Sequence, residues 1–126
     1  MLRQMVEYGH EVIACAPDAD EEVQTELRQM GVEYRHVSMK RAGMNPFGDL
    51  ATLRRLRRLF TEVRPDLVLA YTIKPVIWGL LAARLARVPS RYAMITGLGY
   101  AFLDGGDLRQ RAIQKVAILL YRAALK

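Results

Sequence analysis

The feature that most constrains this chain is a repeated change of period. Short apolar runs alternate with longer stretches in which apolar residues recur every three to four positions. "EVIACAP" (Glu11–Pro17) is a short apolar run closed by a turn residue, and it predicts a strand. "DADEEVQTELRQMG" follows, with acids where the positive end of a helix favours them and Gly31 where helices commonly stop. "VEYRHVSM" (Val32–Met39) alternates as a half-buried strand does. "NPFGDLATLRRLRRLFTEV" has Asn45 as a cap and Pro46 in the first helical position. Its apolar stripe is Leu50, Leu53, Leu56, Phe60 and Val63. "PDLVLAY" carries the most apolar strand, Asp66–Tyr71, and "PVIWGLLAARLARV" is a helix whose Gly79, Ala82, Ala83 and Ala86 allow close packing. "RYAMIT" (Arg91–Thr96) is a fourth strand. After the loop "GLGYAFLDGG", Asp107 caps a last helix, "DLRQRAIQKVAILLYRAALK". Strands that alternate with helices need crossover connections, which implies a parallel sheet with helices on both faces.

The predicted fold class is therefore α/β: a Rossmann-like, doubly wound sheet in one domain over residues 1–126. The opening is unusual for such a unit. "MLRQMVEYGHEV" reads as helix up to Gly9 and then as strand, whereas a doubly wound unit starts with a strand and a glycine turn before this helix. The expectation is a partial domain missing its first strand, either a fragment or a reading frame begun late. That strand would lie between Glu11–Ala16 and Asp66–Tyr71, with Val32–Met39 and Arg91–Thr96 outside them. Without it, the two inner strands would pair directly or present unpaired edges.

Composition narrows the function classes. The 126 residues are 52% hydrophobic and 25% charged, as in ordinary globular proteins. The net charge of +6 suits phosphate-bearing partners, and equally a solvated arginine-rich surface. A lone cysteine, Cys15, excludes a disulfide framework, favours a cytosolic setting and reads as a small core residue. One cysteine with His10 and His36 gives no metal-site spacing, so no metal and no cofactor is expected. No apolar run approaches the ~20 residues of a membrane span, and Arg3, Glu7 and His10 interrupt any signal-like start.

Ligands of open α/β sheets bind beyond the carboxyl ends of the strands. Four stretches fall there: Ala16–Asp18, Met39–Pro46, Tyr71–Pro75 and Thr96–Phe102. Lys74 stands just ahead of a helix start, where free N–H groups already favour an anion, so a phosphate or pyrophosphate would suit it. The bland reading is a lysine pointing into solvent. Gly97 and Gly99 let a backbone approach a ligand closely, or simply make a turn. They lack the third glycine of a dinucleotide fingerprint. Tyr100 and Phe102 line a pocket or pack beneath their loop. Lys40 and Arg41 supply two cations at a strand end, while Asn45 caps a helix. Arg54, Arg55, Arg57 and Arg58 oppose the apolar stripe of their helix. Arg111, Lys115, Arg122 and Lys126 align along the last one. Such faces suit an anionic membrane surface, or they are ordinary solvated helix faces. No nucleic-acid recognition motif accompanies them, so no nucleic-acid partner is expected.

Taken together, "GHEVIACAPD", "RAGMNPFGDL", "RPDLVLAYTIKPVIWGLLAARLARVP" and "YAMITGLGYAF" resemble the amino-terminal domain of family 4 glycosyltransferases with the GT-B fold. The likeness is greatest to bacterial enzymes of lipid-linked surface polysaccharide synthesis, and it covers nearly the whole chain. The resemblance implies a retaining transfer from a nucleotide-sugar donor to a polyprenyl-diphosphate-linked saccharide acceptor. It implies that this domain holds the acceptor, while a carboxy-terminal domain missing from the chain holds the donor. The acceptor-binding candidates are then Lys40, Arg41, Tyr71, Thr72, Lys74, Thr96, Gly97, Gly99 and Tyr100. Arg54, Arg57, Arg58, Arg111, Lys115 and Arg122 would face the inner leaflet of the cell membrane, a cytoplasmic, peripheral location. Many relatives carry a histidine where this chain has Tyr71, so no catalytic residue is assigned and the chain alone is expected to be inactive. A nucleotide-sugar epimerase of the same architecture and a non-catalytic Rossmann-like binding module remain as alternatives.

Overall fold

A computed structural model describes residues 1–39, 46–72, 74–94 and 108–126. The chain forms two compact units, Met1–Gly48 and Asp49–Lys126. In the first, helix α1 (Leu2–Glu7) precedes strand β1 (Ile13–Ala16), helix α2 (Glu21–Gln29) and strand β2 (Glu33–His36). Helix α3 (Pro46–Val63) begins with Pro46 in its first position, as the sequence predicts, and carries the chain into the second unit. There strand β3 (Leu67–Tyr71) is followed by a π-helical turn (Pro75–Gly79) and helix α4 (Leu80–Leu85). Strand β4 (Ser90–Met94) and helix α5 (Leu108–Leu125) complete it. Asn45 and Asp107, the expected caps, lie outside the described residues.

The strands pair in two parallel sheets. β1 lies beside β2 with Ile13 opposite Glu33 and Ala16 opposite His36. β3 lies beside β4 with Leu67 opposite Ser90 and Tyr71 opposite Met94. Both pairs are those expected from the sequence. Among the described residues β1 does not pair with β3, and the first residues form α1 rather than a strand.

In the first unit α2 ends in a complete Schellman motif. The Val32 N–H donates to the Leu27 carbonyl and the Gly31 N–H to the Arg28 carbonyl, while Leu27 and Val32 are both buried. Gly31 takes a φ of 78°, and a Cβ there would stand 3.2 Å from Val6 Cγ1. The positive φ favours glycine here, and α1 leaves little room for a Cβ unless Val6 gives way by a few tenths of an ångström. Two other helix ends use arginine in the same left-handed region: Arg64 at φ 51° after α3, and Arg87 at φ 59° after α4. Arg87 completes its own Schellman motif, with its N–H donating to the Arg84 carbonyl and Val88 N–H to the Ala83 carbonyl.

The second unit is built on the helix that follows β3. Val76, Leu80, Ala82 and Ala83 have at most 1% of their surface exposed. Val76 and Leu80 join Ala70 and Ala124 in one cluster, flanked by Val68, Leu81, Ala93 and Tyr121. Small residues let this helix lie between the β3–β4 pair and α5. The requirement is not uniform, because a Cβ on Gly79 would meet Ala70 Cβ at an ordinary 3.8 Å. The Arg84 guanidinium donates to the Ala123 carbonyl at 3.1 Å, satisfying one of the carbonyls left open at the end of α5. Leu67, Tyr71, Tyr92 and Met94 share the other sheet face and are exposed.

Two sequence readings need correction. Cys15 is the exposed residue of β1, whose other three residues are half-buried, rather than a core residue. Leu50 is also exposed, at 44%. Leu56 of the expected stripe is buried and Leu53, Phe60 and Val63 are half-buried, but in the first turns of α3 the buried positions are Asp49 and Thr52, each one residue before the expected leucine. Denaturant unfolding should rank the helix-end residues: Gly31→Ala is expected to cost about 1 kcal/mol or more, and Arg87→Gly to stabilise by about 0.5–1 kcal/mol.

Candidate functional site

Two stretches of the predicted ligand edge are described at strand ends, Ala16–Asp18 after β1 in the first unit and the carboxyl end of β3 in the second; Lys74 belongs to the latter. Tyr71 ends the strand half-exposed, with Met94 opposite it on β4. Thr72 extends the pairing by donating its N–H to the Met94 carbonyl at 3.3 Å. Its own carbonyl accepts the Val76 N–H at 3.0 Å, which starts the helical winding. To make this reversal Thr72 adopts a φ of 72°. That region is unfavourable for a β-branched residue and costs on the order of 1–3 kcal/mol. Pro75 lacks an N–H, so it opens the helix without leaving an unsatisfied donor. The winding over Pro75–Gly79 is π-helical, a rare form often found beside functional sites.

Lys74 is the cation of this turn, and it is not the solvent-pointing lysine of the bland reading. Its side chain is 15% exposed, and its Nζ lies 3.5 Å from Oδ1 of Asp49, whose side chain is 10% exposed. Asp49 sits in the first turn of α3, so the pair ties the start of α3 to the strand-end turn. Sequence reading missed Asp49 because an acid in a first helical turn is fully explained by the helix dipole. The available signal was its position seven residues before Leu56, on the stripe that is buried.

The contact is long for a charge-assisted hydrogen bond, which is commonly about 2.7–2.9 Å. An ammonium has three donors, and among the described residues Asp49 is the one partner of Lys74. The turn therefore presents a largely buried cation that, among the described residues, engages one side-chain partner. Thr72 and Tyr71 carry hydroxyl groups beside it in the chain.

The remaining acceptor-binding candidates, Lys40, Arg41, Thr96, Gly97, Gly99 and Tyr100, lie outside the described residues. Arg54, Arg57 and Arg58 on α3 are exposed, as are Arg111, Lys115 and Arg122 on α5. Leu108, Val116, Ile118 and Leu119 are also exposed on α5, so its surface mixes cations with large apolar side chains. An open depression of ≈ 290 Å³ lies among Leu80, Pro89, Arg91, Tyr92 and Ala124. It is at the amino end of β4, the edge opposite Lys74. Cys15 is exposed at the surface, yet partial desolvation of its thiol pushes it above its ordinary value, against a smaller opposing pull from Arg35, and desolvation pushes the Tyr121 hydroxyl up. Neither group is at the strand-end turn. Among the described residues no His, Cys, Asp and Glu side chains gather into a set able to hold a metal ion.

Comparison with known proteins decides the family. The glycosyl transferase 4-like domain model matches residues 1–126. This chain belongs to that family. A curated relative, the N,N'-diacetylbacillosaminyl-diphospho-undecaprenol alpha-1,3-N-acetylgalactosaminyltransferase of Campylobacter jejuni, is 26% identical over all 126 residues. The glycosyl transferase 4-like chain spans 33% of that relative's length. Its parallel strand pairs with intervening helices are those of a Rossmann-like α/β glycosyltransferase domain.

The ion pair has a stability signature. Removing one partner leaves a poorly solvated charge alone, so Lys74→Ala and Asp49→Ala should each cost about 2–4 kcal/mol. The double replacement Asp49→Leu, Lys74→Met should cost much less than the sum of the two, as measured by denaturant unfolding.

Proposed function

We propose that this chain is the acceptor-holding part of a retaining glycosyltransferase. The enzyme moves a sugar from a nucleotide sugar to a polyprenyl-diphosphate-linked saccharide in surface polysaccharide synthesis. The observation that carries the reading is the largely buried Lys74 ammonium at the carboxyl end of β3, whose one partner among the described residues is Asp49. Family membership supports the reaction class, and the relative's name, which specifies a diphospho-undecaprenol acceptor, supports the acceptor chemistry. A diphosphate carries its charge on oxygens that accept from an ammonium, and the helix start beyond Lys74 favours the same sign. Tyr71 and Thr72 would contact the acceptor from the same turn, and Lys40, Arg41, Thr96, Gly97, Gly99 and Tyr100 would complete its site. The donor would be held by a carboxy-terminal domain.

The test is transfer of label from a panel of radioactive nucleotide sugars to the organic phase of a membrane-lipid extract, using the full-length gene product. Label should enter the lipid phase with at least one sugar. Lys74→Gln should raise the KM for lipid acceptor by about tenfold or more while leaving that for the nucleotide sugar nearly unchanged. Label released only as free sugar, or no transfer with any donor, would count against the reading.

A peripheral position on the inner membrane leaflet belongs to the same proposal. No described helix is long and apolar enough to cross a membrane. Exposed Leu108, Ile118 and Leu119 interleaved with Arg111, Lys115 and Arg122 on α5, and the arginines of α3, suit an anionic lipid surface. The protein should sediment with anionic vesicles at low salt and be released as salt rises. Equal binding to neutral vesicles would remove the basic faces from that role.

A further inference from the structure

Lys74 is held by a residue that nothing in the reaction itself requires. Resting on the acceptor reading above, we propose that Asp49 is a positioning residue, which aims the Lys74 ammonium at the acceptor diphosphate. Three observations carry this. Asp49 is 7% exposed, and an aspartate is seldom so deeply buried unless it is paired. Its contact with Lys74 is long, at 3.5 Å, and it occupies one of the three ammonium donors. The turn that carries Lys74 is held in a strained conformation at Thr72 and opens into a π-helical turn.

A pair with a purely structural role would be expected to close to a short contact and use up the ammonium's donors. This one engages a single donor of the ammonium among the described residues, at the long end of hydrogen-bond distance. Lysine is a flexible side chain, and ordering it when a ligand binds weakens the binding. Asp49 fixes the amine in place beforehand. The alternative role, neutralising a buried cation, has the opposite consequence for an anion. If Asp49 only neutralises, removing its charge strengthens diphosphate binding. If it positions, removing the charge weakens it. The sign therefore separates the two roles.

The experiment is calorimetric titration of the full-length gene product with geranyl diphosphate, a short polyprenyl diphosphate. The variants are Asp49→Asn, Asp49→Glu, Lys74→Gln and the Asp49→Asn, Lys74→Gln double variant, each checked by thermal melting to be folded. Lys74→Gln should weaken binding about tenfold or more. Asp49→Asn, which keeps the shape and loses the charge, should weaken it about tenfold, and Asp49→Glu should recover most of that. In the Lys74→Gln background Asp49→Asn should have no further effect, because Asp49 acts through Lys74. Unchanged or tighter binding by Asp49→Asn, or effects of the two substitutions that multiply, would overturn the positioning role while leaving Lys74 in the site. Binding that is insensitive to Lys74→Gln, or no binding by the wild-type protein, would overturn the acceptor reading and this inference together.

Discussion

The burial of one short helix against one strand pair governs the second unit. Val76, Leu80, Ala82 and Ala83 are sealed from solvent, and they fix where the chain can go on leaving β3. The helix must begin almost at once after Tyr71, because Val76 already belongs to the core. Only four residues separate them. That shortness is the physical reason for the left-handed Thr72, for the proline at the helix start, and for a lysine with no room to point freely outward. The strand-end chemistry is thus a by-product of a packing demand that lies behind it. A turn this tightly specified is also a stable platform, which suits a group that must meet a ligand in one orientation.

Much of this was legible in the chain because it rests on local rules. The four strands, the helices between them and the partner of each strand follow from period changes and from the crossover geometry of parallel sheets. Gly31 as a helix stop and Pro46 as a helix start follow from backbone preferences alone. What escaped was tertiary. Leu50 and Asp49 are neighbours on α3, and periodicity favours the leucine as the buried one. The fold buries the aspartate because Lys74, 25 positions further on, arrives beside it. No rule of spacing within one helix can report a partner that far along the chain. Cys15 escaped for a related reason: an apolar residue in a short strand is assigned to the core by composition, but β1 is only half-buried along its length and Cys15 is its exposed residue.

The same limit applies to the site. Lys74 was legible as a cation at the ligand edge, since a parallel sheet fixes which end of a strand faces its ligand. Its restraint by Asp49 was not, and that restraint changes what the lysine can do. An unpaired lysine in a loop contributes charge; a buried, tethered one contributes direction. The family match gives the chain a reaction class and says nothing of which edge serves it.

Arg64 and Arg87 give the molecule an adjustable reserve. Each occupies a left-handed helix end that glycine would take more readily, and each lies just before the amino end of a strand, β3 or β4. The Tyr71–Lys74 turn is at the other end of those strands. Conformational relief can therefore be introduced at one edge of the sheet without touching the chemistry at the other. A background relaxed at these two positions would tolerate disruptive substitutions at Asp49 and Lys74, separating loss of binding from loss of folding. It would also give the natural chain a route by which changes in the strand-end turn could be accommodated without unfolding.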